Sequence, residues 1–280
     1  MAGYEEDSSL GKEVSYQFNY DPSVLFPIPR QQGRSRIGLA LDEALPFVGV
    51  DIWTGFEISW LNSKGKPEVR IAEFFIPCTS QFLVESKSFK LYLNTFNQTR
   101  FDSEADVLKA MINDLSKVTE SDVNVSLHAV DARQFLSSGE EALCIDGLDV
   151  EIEDYAPNDQ LLEVDSTQQV SETLMSHLLR SNCPVTGQPD WGTVVIKYSG
   201  NKLNHEALLK YLISFRQHTG FHEQCVEEIY LDLMKVTEPN SLEVYARYLR
   251  RGGLDINPYR AMNAFSADVS LPKFRRLARQ

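Results

Sequence analysis

The chain repeats itself, and the repeat constrains its fold more than any other feature. Tyr92-Leu93-Asn94-Thr95-Phe96-Asn97-Gln98 matches Tyr211-Leu212-Ile213-Ser214-Phe215-Arg216-Gln217. Asp114-Leu115-Ser116-Lys117-Val118-Thr119 matches Asp232-Leu233-Met234-Lys235-Val236-Thr237, and Gly147-Leu148-Asp149-Val150 matches Gly253-Leu254-Asp255-Ile256. Three anchors in one order mean that the fold is to be read as two copies of one unit. The first copy carries a longer connection before its third anchor, which includes Ser137-Ser138-Gly139. At roughly 150 residues per domain, 280 residues suit two such domains.

Each copy reads as the same succession of elements. Residues 53–61 and 68–76 are β-rich, and the turn chemistry of Asn62-Ser63-Lys64-Gly65-Lys66-Pro67 between them makes a hairpin. Residues 86–97 are apolar at helical spacing. Ser103 with Asp106 opens a second helix carrying Val107, Leu108, Met111, Ile112 and Leu115. In the second copy Asn204 caps a helix bearing Leu208, Leu209, Tyr211, Leu212 and Phe215, and a further helix carries Val226, Ile229, Tyr230 and Leu233. Alternation returns at residues 123–129 and 242–248, and Gly252-Gly253 turns the chain after the latter. The expected fold is α+β: a four-stranded antiparallel sheet with a helix pair on one face, in tandem over residues 1–155 and 156–280. The linker falls at 155–165, where Ala156-Pro157-Asn158-Asp159 reads as a turn. Open sheet edges must be paired or covered, so a homodimer that completes a ring of strands is expected.

The formal charge is −13, from 27 basic and 40 acidic residues, which disfavours a broad surface for nucleic-acid phosphates or anionic lipid. The excess is local. Residues 120–172 hold fourteen acidic residues against one basic, Arg133, and the remainder balances, so an anionic ligand elsewhere stays open. A composition of 42% hydrophobic and 24% charged residues excludes a disordered or fibrous chain. No apolar run approaches the roughly 18 residues of a membrane span, and residues 1–10 are acidic and polar. A cytoplasmic protein with neither a nucleic-acid nor a membrane partner is expected. The four cysteines, Cys78, Cys144, Cys183 and Cys225, show no Cys-x-x-Cys spacing, which signals neither a disulfide framework nor a zinc knuckle. His128, His177, His205 and His218 show no ligand spacing and read as surface or structural; no metal is expected.

Where the copies differ, chemistry is to be sought. Glu85-Ser86-Lys87-Ser88 opens the first helix of copy one, where copy two has Asn204-His205-Glu206-Ala207, an ordinary cap. Phe221-His222-Glu223 stands between the helices of copy two, in place of Phe101-Asp102-Ser103. The third difference is Cys183-Pro184-Val185-Thr186-Gly187-Gln188-Pro189-Asp190-Trp191, a Pro/Gly loop leading into the first strand of copy two. Taken singly, a cysteine is more often buried and inert, His222-Glu223 a helix start and Glu85 a solvated charge. No Gly-x-Gly-x-x-Gly follows a strand, so no Rossmann site is signalled.

Together, the Glu85-Ser86-Lys87-Ser88-Phe89-Lys90-Leu91-Tyr92 run, the 183–190 loop and the Phe221-His222-Glu223 triplet resemble the long form of the NADPH-dependent nitrile reductases of queuosine biosynthesis, over residues 25–259. The resemblance implies tandem tunnelling-fold (T-fold) domains, the first with the Glu-Ser-Lys-Ser motif and the second with the cysteine and Phe-His-Glu. It implies reduction of the nitrile of a deazapurine, 7-cyano-7-deazaguanine, to an aminomethyl group. Cys183 would form a covalent thioimide, with Asp190 and His222 handling protons. Val84, Glu85, Ser86, Phe221, His222 and Glu223 would surround the substrate, and Ser86, Lys87, Arg251 and Gly252 would hold NADPH. The chemistry suits these residues. A nitrile carbon is a weak electrophile, and thiolate is a strong nucleophile near neutral pH. A carboxylate such as Glu223 accepts from the N–H and amine of a guanine-like edge, while Phe221 offers a stacking face. His222, about 100° from Glu223 around a helix, serves a second target. Cations and a glycine suit phosphate. Lys90, Arg250 and Arg260 are left as surface charges. Cys225 is expected near the same pocket, where a disulfide to Cys183 would protect the nucleophile. Two other readings stay open: a zinc-dependent cyclohydrolase-like enzyme of the same fold, with Cys183 and His222 as ligands, and a non-catalytic purine- or pterin-binding module.

Overall fold

The computed structural model describes residues 19–40, 43–130, 142–153 and 155–263. They form two compact units. The first comprises the described residues of Met1–Glu43, Asp51–Arg133 and Arg250–Asp255, the second those of Ala44–Val50, Gln134–Leu249 and Ile256–Gln280.

In the first unit, β1 (Pro27–Pro29) leads into a short helix, α1 (Arg30–Arg36). The long strands β2 (Val48–Leu61), which enters this unit at Asp51, and β3 (Pro67–Pro77) follow, then β4 (Phe82–Val84), α2 (Ser86–Phe96), α3 (Glu104–Thr119) and β5 (Asn124–His128). The sheet order is β5-β3-β2, with β3 and β5 antiparallel, and β1 pairs separately with β4. Asn62 makes the β2–β3 turn by accepting from the backbone N–H groups of Lys64 and Lys66, at 3.0 and 3.1 Å. Helical spacing puts Phe89, Tyr92 and Phe96 of α2 and Val107, Met111 and Leu115 of α3 wholly in the core. The Phe89 ring packs against Trp53 and Phe74, with centroids 5.1 and 4.9 Å away.

The second unit holds β6 (Leu143–Cys144), β7 (Val164–Ser176), β8 (Arg180–Asn182), β9 (Pro189–Leu203), α4 (His205–Ser214), α5 (His222–Thr237), β10 (Ser241–Tyr248) and β11 (Leu254–Ala261). Its order is β11-β10-β9-β7-β6; β6 is parallel to β7, β9 is antiparallel to both its neighbours, and β8 pairs with the start of β9. Val226, Ile229, Tyr230 and Leu233 of α5 are fully buried. Each aliphatic side chain so buried contributes about 1.5–3 kcal/mol.

The repeat has a physical content. Tyr92 donates its hydroxyl to Asp114 at 2.7 Å, and Tyr211 donates to Asp232 at 2.6 Å. Burial and the adjoining carboxylate push both phenols upward, so both stay protonated donors. The hydroxyls of Thr95 and Ser214 bond the carbonyls of Tyr92 and Tyr211, each at 2.6 Å. The second helix of each pair ends on a left-handed glutamate, Glu120 at φ 50° and Glu238 at φ 42°. The first two matched anchors thus join helix to helix and lead into the left-handed end of the second one.

The structure corrects several expectations. The Cys183 loop does not lead into the first strand of copy two: that strand is β7, and the loop lies between β8 and β9. Gly147-Leu148-Asp149-Val150 forms no strand. Asp and Glu disfavour strands, and Asp146, Asp149, Glu151 and Glu153 crowd this segment. Asp146 instead accepts hydrogen bonds from the Ser176 hydroxyl and the His177 N–H, at 2.6 and 2.9 Å. Among the described residues the sheet of the first unit therefore shows three strands, not four. Ser137-Ser138-Gly139 lies outside the described residues. Arg260, read as a surface charge, is fully buried, with its guanidinium 2.9 Å from Glu227. Among the described residues no helix is long and apolar enough to cross a membrane.

Candidate active site

In the second unit the loop thiol, a carboxylate and an imidazole are positioned by one small hairpin and one helix start. The register pairs Arg180 with Trp191, Ser181 with Asp190 and Asn182 with Pro189. Cys183 extends it by one step, its N–H donating to the Gln188 carbonyl at 2.9 Å. Cys183 thus stands two residues beyond Ser181, the register partner of Asp190, at the loop end of the same hairpin. Gly187, at φ 65°, makes the tight return, and its N–H donates to the Cys183 carbonyl at 3.0 Å. Cys183 is half-buried.

The same hairpin is tied to the start of α5. Asn182 N–H donates to the His218 carbonyl at 2.8 Å, and Gly220 N–H to the Asn182 carbonyl at 3.2 Å. These bonds bring His222 to Asp190, with Nε2 3.3 Å from Oδ2. Both side chains are buried. His222 Nδ1 lies 3.3 Å from the Ile256 carbonyl. A carbonyl only accepts, so Nδ1 is the donor in this contact and Nε2 is the ring nitrogen that faces Asp190. The Tyr248 ring lies flat on the imidazole, with centroids 3.8 Å apart and planes at 10°. Phe221 occupies the N-cap of α5 without a side-chain hydrogen bond, where Ser, Thr, Asp or Asn would stabilise the helix. The corresponding helix of the first unit has Ser103 there, accepting from Asp106 N–H. Glu223, 4% exposed, sits in the first turn, where the helix dipole favours its negative charge.

Cys225 does not behave as expected of a disulfide partner. Its thiol is fully buried, and burial pushes its pKa up to about 12, with Ser181 and Tyr248 alongside. A buried thiol held protonated is a poor participant in disulfide exchange, so this structure gives no support to the protective pairing with Cys183. None of the four cysteines is in a disulfide.

The first unit holds the other candidates. Val84 is buried at the end of β4, paired with Pro27. Glu85 is the N-cap of α2: its two carboxylate oxygens accept from Lys87 N–H and Ser88 N–H, both at 2.7 Å, and it is 2% exposed. Each oxygen keeps a further lone pair. It is therefore a buried, oriented carboxylate rather than a solvated charge. Ser86 and Lys87 are the first two residues of the helix. Arg251 and Leu254 close a two-residue turn whose centre, Gly252 and Gly253 at φ 59° and 80°, requires glycine. A Cβ on Gly252 would stand 3.2 Å from Lys90 Cδ, so the lysine stem lies across the turn. Lys90, left aside in the sequence, thus joins Arg251 and Gly252, and Lys87 stands three residues before it on α2. Two lysines a turn apart, an arginine and an exposed glycine backbone form a donor set that fits a phosphate-bearing cofactor.

An α+β fold that places a loop cysteine on the same hairpin as a buried carboxylate–imidazole pair is the arrangement that an enzyme using a thiol with a proton-handling pair would need. Family models match twice, "Nitrile reductase, 7-cyano-7-deazaguanine-reductase N-term" over residues 16–127 and "QueF-like protein" over residues 189–265. A relative from Hydrogenovibrio crunogenus, named NADPH-dependent 7-cyano-7-deazaguanine reductase, is 57% identical over 91% of this chain and 92% of its own. One of the same name from Cupriavidus taiwanensis is 52% identical over 98% of this chain and 99% of its own. A solved structure of the archaeosine synthase QueF-Like in the apo form aligns over 37% of this chain at TM-score 0.31 and 17% identity, too slight a likeness to bear on the fold. The chain belongs to the NADPH-dependent 7-cyano-7-deazaguanine reductase family, the nitrile reductases.

Proposed function

We propose that this protein reduces the nitrile of 7-cyano-7-deazaguanine to an aminomethyl group, the step of queuosine biosynthesis that the family's name implies. The observation that supports the residue assignment is the His222 imidazole 3.3 Å from the Asp190 carboxylate, on the hairpin whose loop begins at Cys183. NADPH, when bound, supplies hydride; the four-electron change needs it twice. Lys87, Lys90, Arg251 and the Gly252 backbone would hold its phosphates, with Ser86 beside them.

The chain's own residues do the rest. Glu223 accepts from the donor edge of the deazapurine and Phe221 covers its face, and the family resemblance adds Val84, Glu85 and Ser86 to the substrate contacts. Asp190 takes the Cys183 proton, and Cys183 Sγ adds to the nitrile carbon, giving a thioimide whose nitrogen receives that proton. His222 Nε2 and Asp190 Oδ2 share one mobile proton, because Nδ1 is committed to the Ile256 carbonyl. They return protons to the substrate nitrogen as it becomes an amine, and Cys183 departs when the carbon reaches the imine level. The tandem T-fold is part of the proposal, supported by the strand–helix pair–strand order of both units and the Tyr–Asp bond in each. We place the protein in the cytoplasm as a homodimer acting on a small molecule, with no direct nucleic-acid contact; the charge of −13 supports the last point.

The test is NADPH oxidation with the purified protein and 7-cyano-7-deazaguanine, with the amine identified by mass spectrometry. Two NADPH per amine are expected. Tight nitrile binding without oxidation would favour the binding module, and turnover that needs zinc would favour the cyclohydrolase-like reading.

A further inference from the structure

The pairing of β6 with β7 brings together three side chains that lie up to 33 residues apart in sequence. Cys144 is opposite Met175, and Ile145 N–H donates to the Met175 carbonyl at 2.9 Å, which sets Asp146 against the end of β7. There Asp146 Oδ1 accepts from the Ser176 hydroxyl at 2.6 Å and Oδ2 from His177 N–H at 2.9 Å. His177 Nδ1 lies 2.9 Å from the Thr193 hydroxyl. One potential ligand atom each from Cys144, Asp146 and His177 fall within 4.8 Å of one another. Cys144 is exposed and the other two are half-buried, so a cation has access from solvent.

The surroundings orient these groups as an outer shell orients metal ligands. Each Asp146 oxygen uses one lone pair on the protein and keeps another. The Thr193 hydroxyl beside Nδ1 sets the plane of the imidazole. We propose that Cys144, Asp146 and His177 bind one Zn²⁺-class divalent cation, with water in the fourth position. Sulfur and nitrogen donors exclude the oxygen-seeking Mg²⁺ and Ca²⁺, and three protein ligands with one open position are a common zinc arrangement. Binding releases the Cys144 thiol proton to solvent. The cation joins residues 144–146 to the turn that leads from β7 into β8, the strand before the Cys183 loop. It therefore fastens the base of that hairpin and takes no part in the chemistry of Cys183.

The experiment is titration of the full-length protein, without nitrile or NADPH, by Zn²⁺ in a calorimeter and by Co²⁺ in a spectrophotometer. One equivalent of either metal is expected, with a thiolate-to-Co²⁺ charge-transfer band. That band is lost in Cys144→Ser and His177→Gln, kept in Cys183→Ala, and Zn²⁺ affinity falls about 10- to 100-fold in Thr193→Val. Cys144 is exposed, so Cys144→Ser leaves the fold intact, which circular dichroism verifies. No stoichiometric binding by the wild-type protein, or a band that survives Cys144→Ser or disappears with Cys183→Ala, overturns the proposal. Because no turnover is read, the outcome is independent of the nitrile reductase assignment.

Discussion

At the scale of the residue, the function we propose gives proton transfer to the Asp190–His222 pair and recognition to Glu223. Asp190→Asn removes the partner of Nε2 and the base beside Cys183, so kcat is expected to fall about 10²- to 10⁴-fold with KM little changed, as steady-state kinetics will show. Glu223→Gln turns a charge-assisted acceptor into a neutral amide. Losing about 1.5–3 kcal/mol of interaction weakens nitrile binding by roughly 10- to 100-fold in calorimetry. The Cys183–Asp190 loop and the Phe-His-Glu triplet stood out in the sequence because each is a contiguous stretch that the other copy lacks, and the structure sets His222 beside Asp190. Tyr248 did not stand out, since it reaches the His222 ring from a strand that follows the helix and nothing local marks it. The inertness of Cys225 was hidden for the same reason: proximity to Glu223 in sequence says nothing about a core position.

Among the elements, the helix pairs were readable and the short strands were not. Helical periodicity bounds α2 within a residue, and the Ser103 and Asn204 caps mark where α3 and α4 begin. A three-residue strand such as β8 and a two-residue strand such as β6 carry no periodicity, and only their partners define them. The acidic segment after Cys144 misled because its repeat match suggested a strand that its composition resists. The Tyr–Asp bonds make a differential prediction. Asp114 accepts from Tyr20 as well as Tyr92, whereas Tyr211 is the donor bonded to Asp232. Tyr211→Phe is therefore expected to cost about 1–3 kcal/mol in urea denaturation and Tyr92→Phe less. At the left-handed helix ends, Glu238→Gly is expected to stabilise by about 1 kcal/mol, seen as a raised Tm.

For the molecule as a whole, charge placement sets both stability and reactivity. Burial, with Asp232 nearby, pushes Glu228 up to about 7 from 4.5, and burial lowers His218, which lies 3.8 Å away. Near neutral pH this contact is therefore closer to a neutral pair than to an ion pair. A carboxyl raised in the native state binds more protons there than in the unfolded chain, so its contribution to stability is lost as pH rises from 4.5 through about 7. His218 acts in the opposite sense below 6.5, so the comparison that isolates Glu228 is the variant against wild type. Glu228→Gln is expected to gain about 1–3 kcal/mol on wild type between about pH 5 and about pH 8, in denaturation series at each pH. The central claim, however, is covalent chemistry at Cys183. Its most direct test is intact-mass spectrometry of the protein incubated with 7-cyano-7-deazaguanine in the absence of NADPH. The wild type should gain the mass of one substrate molecule and Cys183→Ala none, with NADPH oxidation lost in parallel. An adduct of the same mass on Cys183→Ala, or turnover by that variant, would contradict the account.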